Sequence, residues 1–453
     1  MTTTWDRRRA AHLYLRAGFG ARPDELDEAL SLGREGAISR LVDYDAISTA
    51  ELEAFLDLFA FDLDGYSDVP YDRFANLLRW WYLRMQYTPR PLEEKMTLFW
   101  HNHFATSINK VEAPQLMYAQ NQIFRSLGMA HFADLLLAVS RDPAMLIWLD
   151  NASNIKDAPN ENFAREVMEL FTMGVNNYGQ QDVTEAARAF TGWTIDPEHH
   201  NRFIFNPDFH DDGPKTFLFN RGFFNGEDII AILAARPETA SFITGKLARF
   251  FLGGDPSSAL AQRLEDVYVS TTGSIREIVR EILRSDDFGA TAETPDMIKS
   301  PAEFIVHARR VLGDRDDPAW FDYWLQEMGQ ALFRPPNVGG WRGGQSWIFT
   351  GAYLLRINIA FAFATSPPRW GDQLVQWETS RFFEDRTFGS ADAFIDFLVD
   401  RLNVVAPSAT LRESLRGLLA NAGDPTGWTG TWFDYWGRIA IGLVMSSPEF
   451  QLH

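Results

Sequence analysis

Histidines and carboxylates in three separated segments carry the residue types that acid–base or metal chemistry needs. His101 and His103 lie in Phe99-Trp100-His101-Asn102-His103-Phe104, Glu166 and Glu169 in a helix-like run from Asn160 to Thr172, and His210-Asp211-Asp212 in a loop with Lys215. Neutral imidazole is the commonest metal ligand and a good proton carrier near neutral pH. The reading is therefore that His101, His103, Glu166 and Glu169 could hold a divalent metal. His103, Glu166, His210 and Asp211 would then be the catalytic groups, activating water for hydrolysis. Residues two apart on a helix point about 200° apart, so one ion takes both histidines only where the helix ends. Asn102, Thr106, Ser107 and Asn109 fit such an ending. The plainer alternative is one imidazole satisfied in the core and the other near a helix cap. Glu161 and Arg165 form an i, i+4 pair on a solvated face, and the Glu-x-x-Glu of the same helix is not the Glu-x-x-His of di-iron bundles.

Two other functions compete with metal-assisted hydrolysis. The chain has 15 tryptophans, clustered at Trp80-Trp81, Trp341 to Trp347 and Trp428 to Trp436, and aromatic rings beside carboxylates can form sugar platforms. A polysaccharide-active enzyme needs two carboxylates across a cleft. Glu166 and Glu169 are one turn apart on one side, so Asp211 or Asp212 would have to oppose them. We expect the tryptophans of 341–347 to pack inward, with no such cleft. The remaining alternative is a non-catalytic binding or scaffold protein of the cell envelope, its His and Glu residues forming a buried hydrogen-bond network. The usual signatures of P-loop, nucleophile-elbow, zincin and dinucleotide-binding sites are absent from the sequence.

Helix period dominates the elements that must position these groups. In 74–85, Phe74, Leu77, Leu78, Trp81, Tyr82 and Met85 recur at spacings of three and four, and similar runs recur to the C-terminus. Ser48 with Glu51 reads as a capping box, and Asp182, Asp228 and Ser274 as N-caps. No comparable alternating pattern exists, so the fold class is all-α: a large multi-helix domain. Two segments break the rule. Residues 194–225 read as a long ordered loop insertion with a short β-hairpin around Phe203 to Phe205 and Thr216 to Phe219. Residues 334–347, with two prolines and four glycines, must follow an irregular path. The boundary falls in the polar stretch 365–387, giving a main helical domain over 1–364 and a C-terminal helical lobe over 365–453. The charged run 313–318 is a loop inside the first.

A length of 453 residues suits two or three domains or one large helical one. The 42 basic against 61 acidic residues give a net charge of −19, a balance that argues against nucleic acid as a partner. Zero cysteines remove disulfides and thiolate chemistry but leave the compartment open. No apolar run approaches the length of a transmembrane anchor. The start reads as cytoplasmic as written, and export would require a signal that has been removed. The expected partners are a cell-envelope component or a polysaccharide.

Three segments together resemble the bacterial domain of unknown function 1800 family: Phe99 to Thr106; Asn160 to Thr172 continuing to Thr191-Gly192-Trp193; and Pro335-Pro336-Asn337-Val338 to Gly340-Trp341. Lys299-Ser300-Pro301-Ala302-Glu303-Phe304 and His210-Asp211 support it, and the likeness runs from Arg16-Ala17-Gly18-Phe19-Gly20 to Ser447-Pro448-Glu449-Phe450. The resemblance implies a large, mostly helical bacterial protein, often exported, with no agreed activity.

Overall fold

In the computed structural model, residues 4–59, 61, 70–313, 321–365, 369–370, 373–374, 382–383, 386–428 and 430–453 are described. Most of the 313–318 run and of the 365–387 boundary lies outside them. The described chain is predominantly helical, from Arg7–Arg16 to Gly430–Ser446, as the apolar period requires. The β structure is confined to two-stranded antiparallel pairs. Trp193–Asp196 pairs with Arg202–Phe205, and Lys215–Phe217 with Asn220–Gly222. The single expected hairpin is thus two, each strand finding a partner within its own short turn rather than across the insertion.

Helix starts follow local chemistry, with two shifts from expectation. Ser274 does cap Ile275–Arg284. Asp182 and Asp228 sit three residues inside their helices, where each carboxylate accepts the backbone N–H of Gly179 or Asn225 at 2.9 Å and so closes the first turn from within. Thr49, not Ser48, is the residue before Ala50–Asp57.

Two apolar cores organise the molecule. One gathers residues from 10–44, 92–104 and 124–288; the other gathers 52–117, 302–333 and 352–450. The helix Pro91–His103 lies at their junction, giving Trp100 to the first and Leu98 to the second. Its first-turn Pro91 suits a start that needs no N–H. A helix with both faces covered must satisfy every polar side chain internally. Glu94 accordingly takes Arg125 at 2.6 and 2.9 Å and Trp81 Nε1 at 2.9 Å, and Lys95 pairs with Glu303.

Asp142, also buried, caps Pro143–Trp148 by accepting from Met145 N at 3.1 Å and from Gln120 Nε2 at 2.6 Å. Burial pushes its carboxyl up to about 7, against the hydrogen bonds that hold it down. The folded state therefore binds this proton more tightly than the unfolded chain does, and its contribution is lost as pH rises from about 4 to about 7. We expect Asp142→Asn to remove that loss. The melting temperature of the wild type, measured against this variant, should fall by several degrees between pH 5 and 8; parallel melting curves would refute the assignment.

Candidate functional site

Where the C-terminal end of Pro91–His103 meets Pro237–Leu252, the start of Pro301–Leu312 and the glycine-rich 339–347 loop, the structure has a cleft of about 400 Å³. That volume suits one small organic molecule. Its polar lining comprises Asn102, His103, Lys246, Arg249, Ser300, Glu303, Gln330 and Arg342, and Phe99, Phe250, Trp341 and Trp347 form apolar walls. Trp341 and Trp347 are 7% and 6% exposed. Both are buried and wall a cleft whose lining holds a single carboxylate, Glu303, rather than an opposed pair.

His103 is held at both ring nitrogens. Nε2 lies 3.1 Å from the Phe171 carbonyl, which can only accept, so Nε2 carries the proton. Nδ1 is then the acceptor for Lys246 Nζ, 3.1 Å away. Burial, with Lys246 adding to it, keeps the imidazole well below its ordinary range, so it is neutral. Lys246 is half-buried; burial, reinforced by Arg249, lowers its ammonium to about 8. Arg249 and Arg342 are exposed at the rim, and Arg249 reaches Asp255 at 3.1 Å.

Asn102 faces the loop rather than the cores. Its Oδ1 accepts from Trp341 N at 2.7 Å, and its Nδ2 donates to Trp341 O at 3.4 Å. Gly340 makes this grip possible, with φ at +75° and no side chain where a Cβ would overlap Asn102.

The wall behind Ser300 and Glu303 is rich in cations. Ser300 caps Pro301–Leu312, and Glu303 Oε2 closes the capping box on Ser300 N at 2.7 Å. Burial alone would raise the Glu303 carboxyl, but Lys95 and His453 hold it well below the usual carboxylate range. Around it, Arg356 donates to Lys299 O at 2.9 Å, Lys299 to Phe450 O, and Arg16 lies 3.8 Å from Asp296. Glu303 is the only carboxylate lining the cleft among the described residues, so a two-carboxylate glycosidase arrangement is not formed there.

The residues expected from sequence are not brought together. His101 points away from His103, its Nε2 accepting from Phe333 N at 2.9 Å and its ring packed on Trp81, Phe333 and Trp341. Burial lowers it to about 3, as suits a neutral core histidine that fixes the Phe333 backbone at φ +59°. Glu169 accepts from Tyr178 Oη at 2.7 Å. Glu166 is half-buried, its carboxyl raised by burial and by Glu169. His210 Nδ1 donates to Thr191 O at 2.8 Å, and Asp211 takes Arg188 at 2.7 and 3.2 Å; both fasten the loop insertion to Gln180–Ala189 and the residues after it. Among the described residues, no group of three or more His, Asp or Glu could hold a metal ion. Of the expected set, His103 alone lines the cleft. Sequence reasoning missed Lys246 and Arg249, which lie in an ordinary amphipathic helix. Ser300, Glu303 and Trp341 did lie within segments singled out for their resemblance. Among the described residues, no helix is long and apolar enough to cross a membrane.

A family model described as "Protein of unknown function (DUF1800)" matches residues 12–452. Comparison with curated proteins found no match, and comparison with solved structures found none either.

Proposed function

Since the chain belongs to the DUF1800 family, whose model spans nearly its whole length, we propose that the cleft is the functional site and takes a small organic anion. One observation carries this reading. In a chain of net charge −19, Lys246, Arg249 and Arg342 converge on one aromatic-walled cleft with a single carboxylate in its lining. Guanidinium groups suit carboxylate and phosphate oxygens, and Trp341 and Trp347 suit an apolar body. The Lys246–His103 pair supplies a proton donor and an acceptor in contact, as proton-transfer chemistry on the bound anion needs.

Metal-assisted hydrolysis finds less support, because His101, His103 and Glu169 are engaged elsewhere and, among the described residues, no group of three or more His, Asp or Glu could hold a metal ion. A purely structural network accounts for His101, His210 and Asp211 but not for Lys246, whose neighbours are a histidine and an arginine.

The test is calorimetric binding of phenyllactate and phenyl phosphate, with benzyl alcohol as the neutral control. Both anions should bind and the alcohol should not. Arg249→Ala and Arg342→Ala should each weaken anion binding by about tenfold, as expected for one charge-assisted hydrogen bond. Equal binding of the alcohol, or indifference to both substitutions, would refute the reading.

A further inference from the structure

The chain contains 36 arginines but six lysines, at 95, 110, 156, 215, 246 and 299. Lys95, Lys215 and Lys299 are buried, and Lys110 and Lys156 are exposed. Lys246 alone of the six lines the cleft. Its hydrogen-bond partner is also distinctive: an imidazole lone pair, which can take its proton, where Lys95 instead has the carboxylate of Glu303.

Resting on the anion-binding reading above, we propose that Lys246 forms an imine with the keto group of a 2-oxo acid held in the cleft, its carboxylate toward Arg249 and Arg342. A lysine becomes a nucleophile when it is desolvated or set beside another cation, and Lys246 has both conditions: half-burial against Phe242 and the neighbouring Arg249. The ammonium, lowered to about 8, reaches the free amine by passing its proton to His103 Nδ1, which accepts from Nζ at 3.1 Å; the imidazolium so formed is transient, since burial keeps His103 neutral at rest. The amine then attacks the keto carbon, the C=O electron pair moves onto oxygen, and one N–H proton passes to that oxygen to give a neutral carbinolamine. The proton returns from His103 to the hydroxyl, which leaves as water while the nitrogen lone pair closes the C=N bond. Ammonium plus ketone becomes iminium plus water; charge is conserved and no oxidant is required. The other charged groups lining the cleft are Arg249, Arg342 and Glu303.

The full chain is incubated with phenylpyruvate and sodium cyanoborohydride near pH 7.5, and its peptides are mapped by mass spectrometry. The expected result is a reduced adduct at Lys246 in at least tenfold excess over Lys110 and Lys156. Lys246→Arg should abolish it, whereas Lys110→Arg and Lys156→Arg should leave the adduct at Lys246 unchanged, and wild-type protein should bind phenyllactate, which has no keto group, without gaining an adduct. His103→Gln should slow trapping by tenfold or more. If phenyllactate binds and Lys246 gains no adduct, the imine is refuted and the anion site stands. If neither phenyllactate nor phenylpyruvate binds, both fail. Labelling of Lys110 and Lys156 to the same extent as Lys246 also refutes it.

Discussion

Glu303→Ala is expected to destabilise the protein by about 3–5 kcal/mol, the cost of leaving a buried charge without its partner. Glu303 is 4% exposed and Lys95 fully buried, so water cannot replace the lost carboxylate. Arg16 and Arg356, both buried, leave the neighbourhood still more positive once Glu303 is gone. The capping box on Ser300 N is lost as well, which adds about 1 kcal/mol. Denaturant midpoints should report the full loss, and the melting temperature should drop by several degrees. Glu303→Gln keeps the shape and an acceptor for Ser300 N but not the charge, so it should fall between. The double change Glu303→Leu with Lys95→Met removes both charges and should recover most of the stability lost in Glu303→Ala. The sign with pH follows from the carboxyl's being held low: the contribution is present above the ordinary carboxylate range and lost as pH falls through the folded value. A Glu303→Ala protein with a wild-type midpoint would show that the cation cluster is not balanced by this residue.

The helical class was legible because its cause is local. Apolar residues at three- and four-residue spacing need one buried stripe, and capping residues mark the starts whatever the tertiary structure. The insertion was legible as irregular, but not its pairing, since Phe203 and Thr216 carry strand character without saying which neighbour completes the ladder. The site was legible by halves. His103 stood out by type, yet so did His101, and the distinction between them depends on what lies against each face: the Phe171 carbonyl and Lys246 on one, the Phe333 N–H on the other. Glu166, Glu169, His210 and Asp211 are residue types suited to the chemistry, but Tyr178, Thr191 and Arg188 engage Glu169, His210 and Asp211 respectively. Lys246 carried no local mark, because its role comes from a histidine 143 positions away in the chain. Residues 299–304 and 335–341 were visible as distinctive segments; their convergence with 99–106 on one cleft required the fold.

Gly340→Ala should open the cleft with little loss elsewhere. At φ +75° an L-residue is strained by about 1–2 kcal/mol, and the new methyl would overlap both the side-chain oxygen and the backbone carbonyl of Asn102, costing roughly another 1–3 kcal/mol if nothing moved. The helix end at Asn102 is fixed by buried Trp100 and His103, whereas residues 339–344 follow an irregular path with glycines at 339, 340, 343 and 344. Relief should therefore come from the loop. Moving it breaks the 2.7 Å bond from Trp341 N to Asn102 Oδ1 and carries Trp341, a cleft wall, out of place. Hydrogen exchange should show the amides of 339–347 opening tenfold or more faster, while those of Pro237–Leu252 keep their protection. Phenyllactate binding should weaken by at least tenfold with Arg249 and Lys246 intact. Asn102→Ala, which removes the grip without adding the methyl, should reproduce the faster exchange to a smaller degree. If Gly340→Ala leaves both exchange and binding unchanged, the loop is held by contacts other than this grip, and Trp341 is not the wall that shapes the cleft.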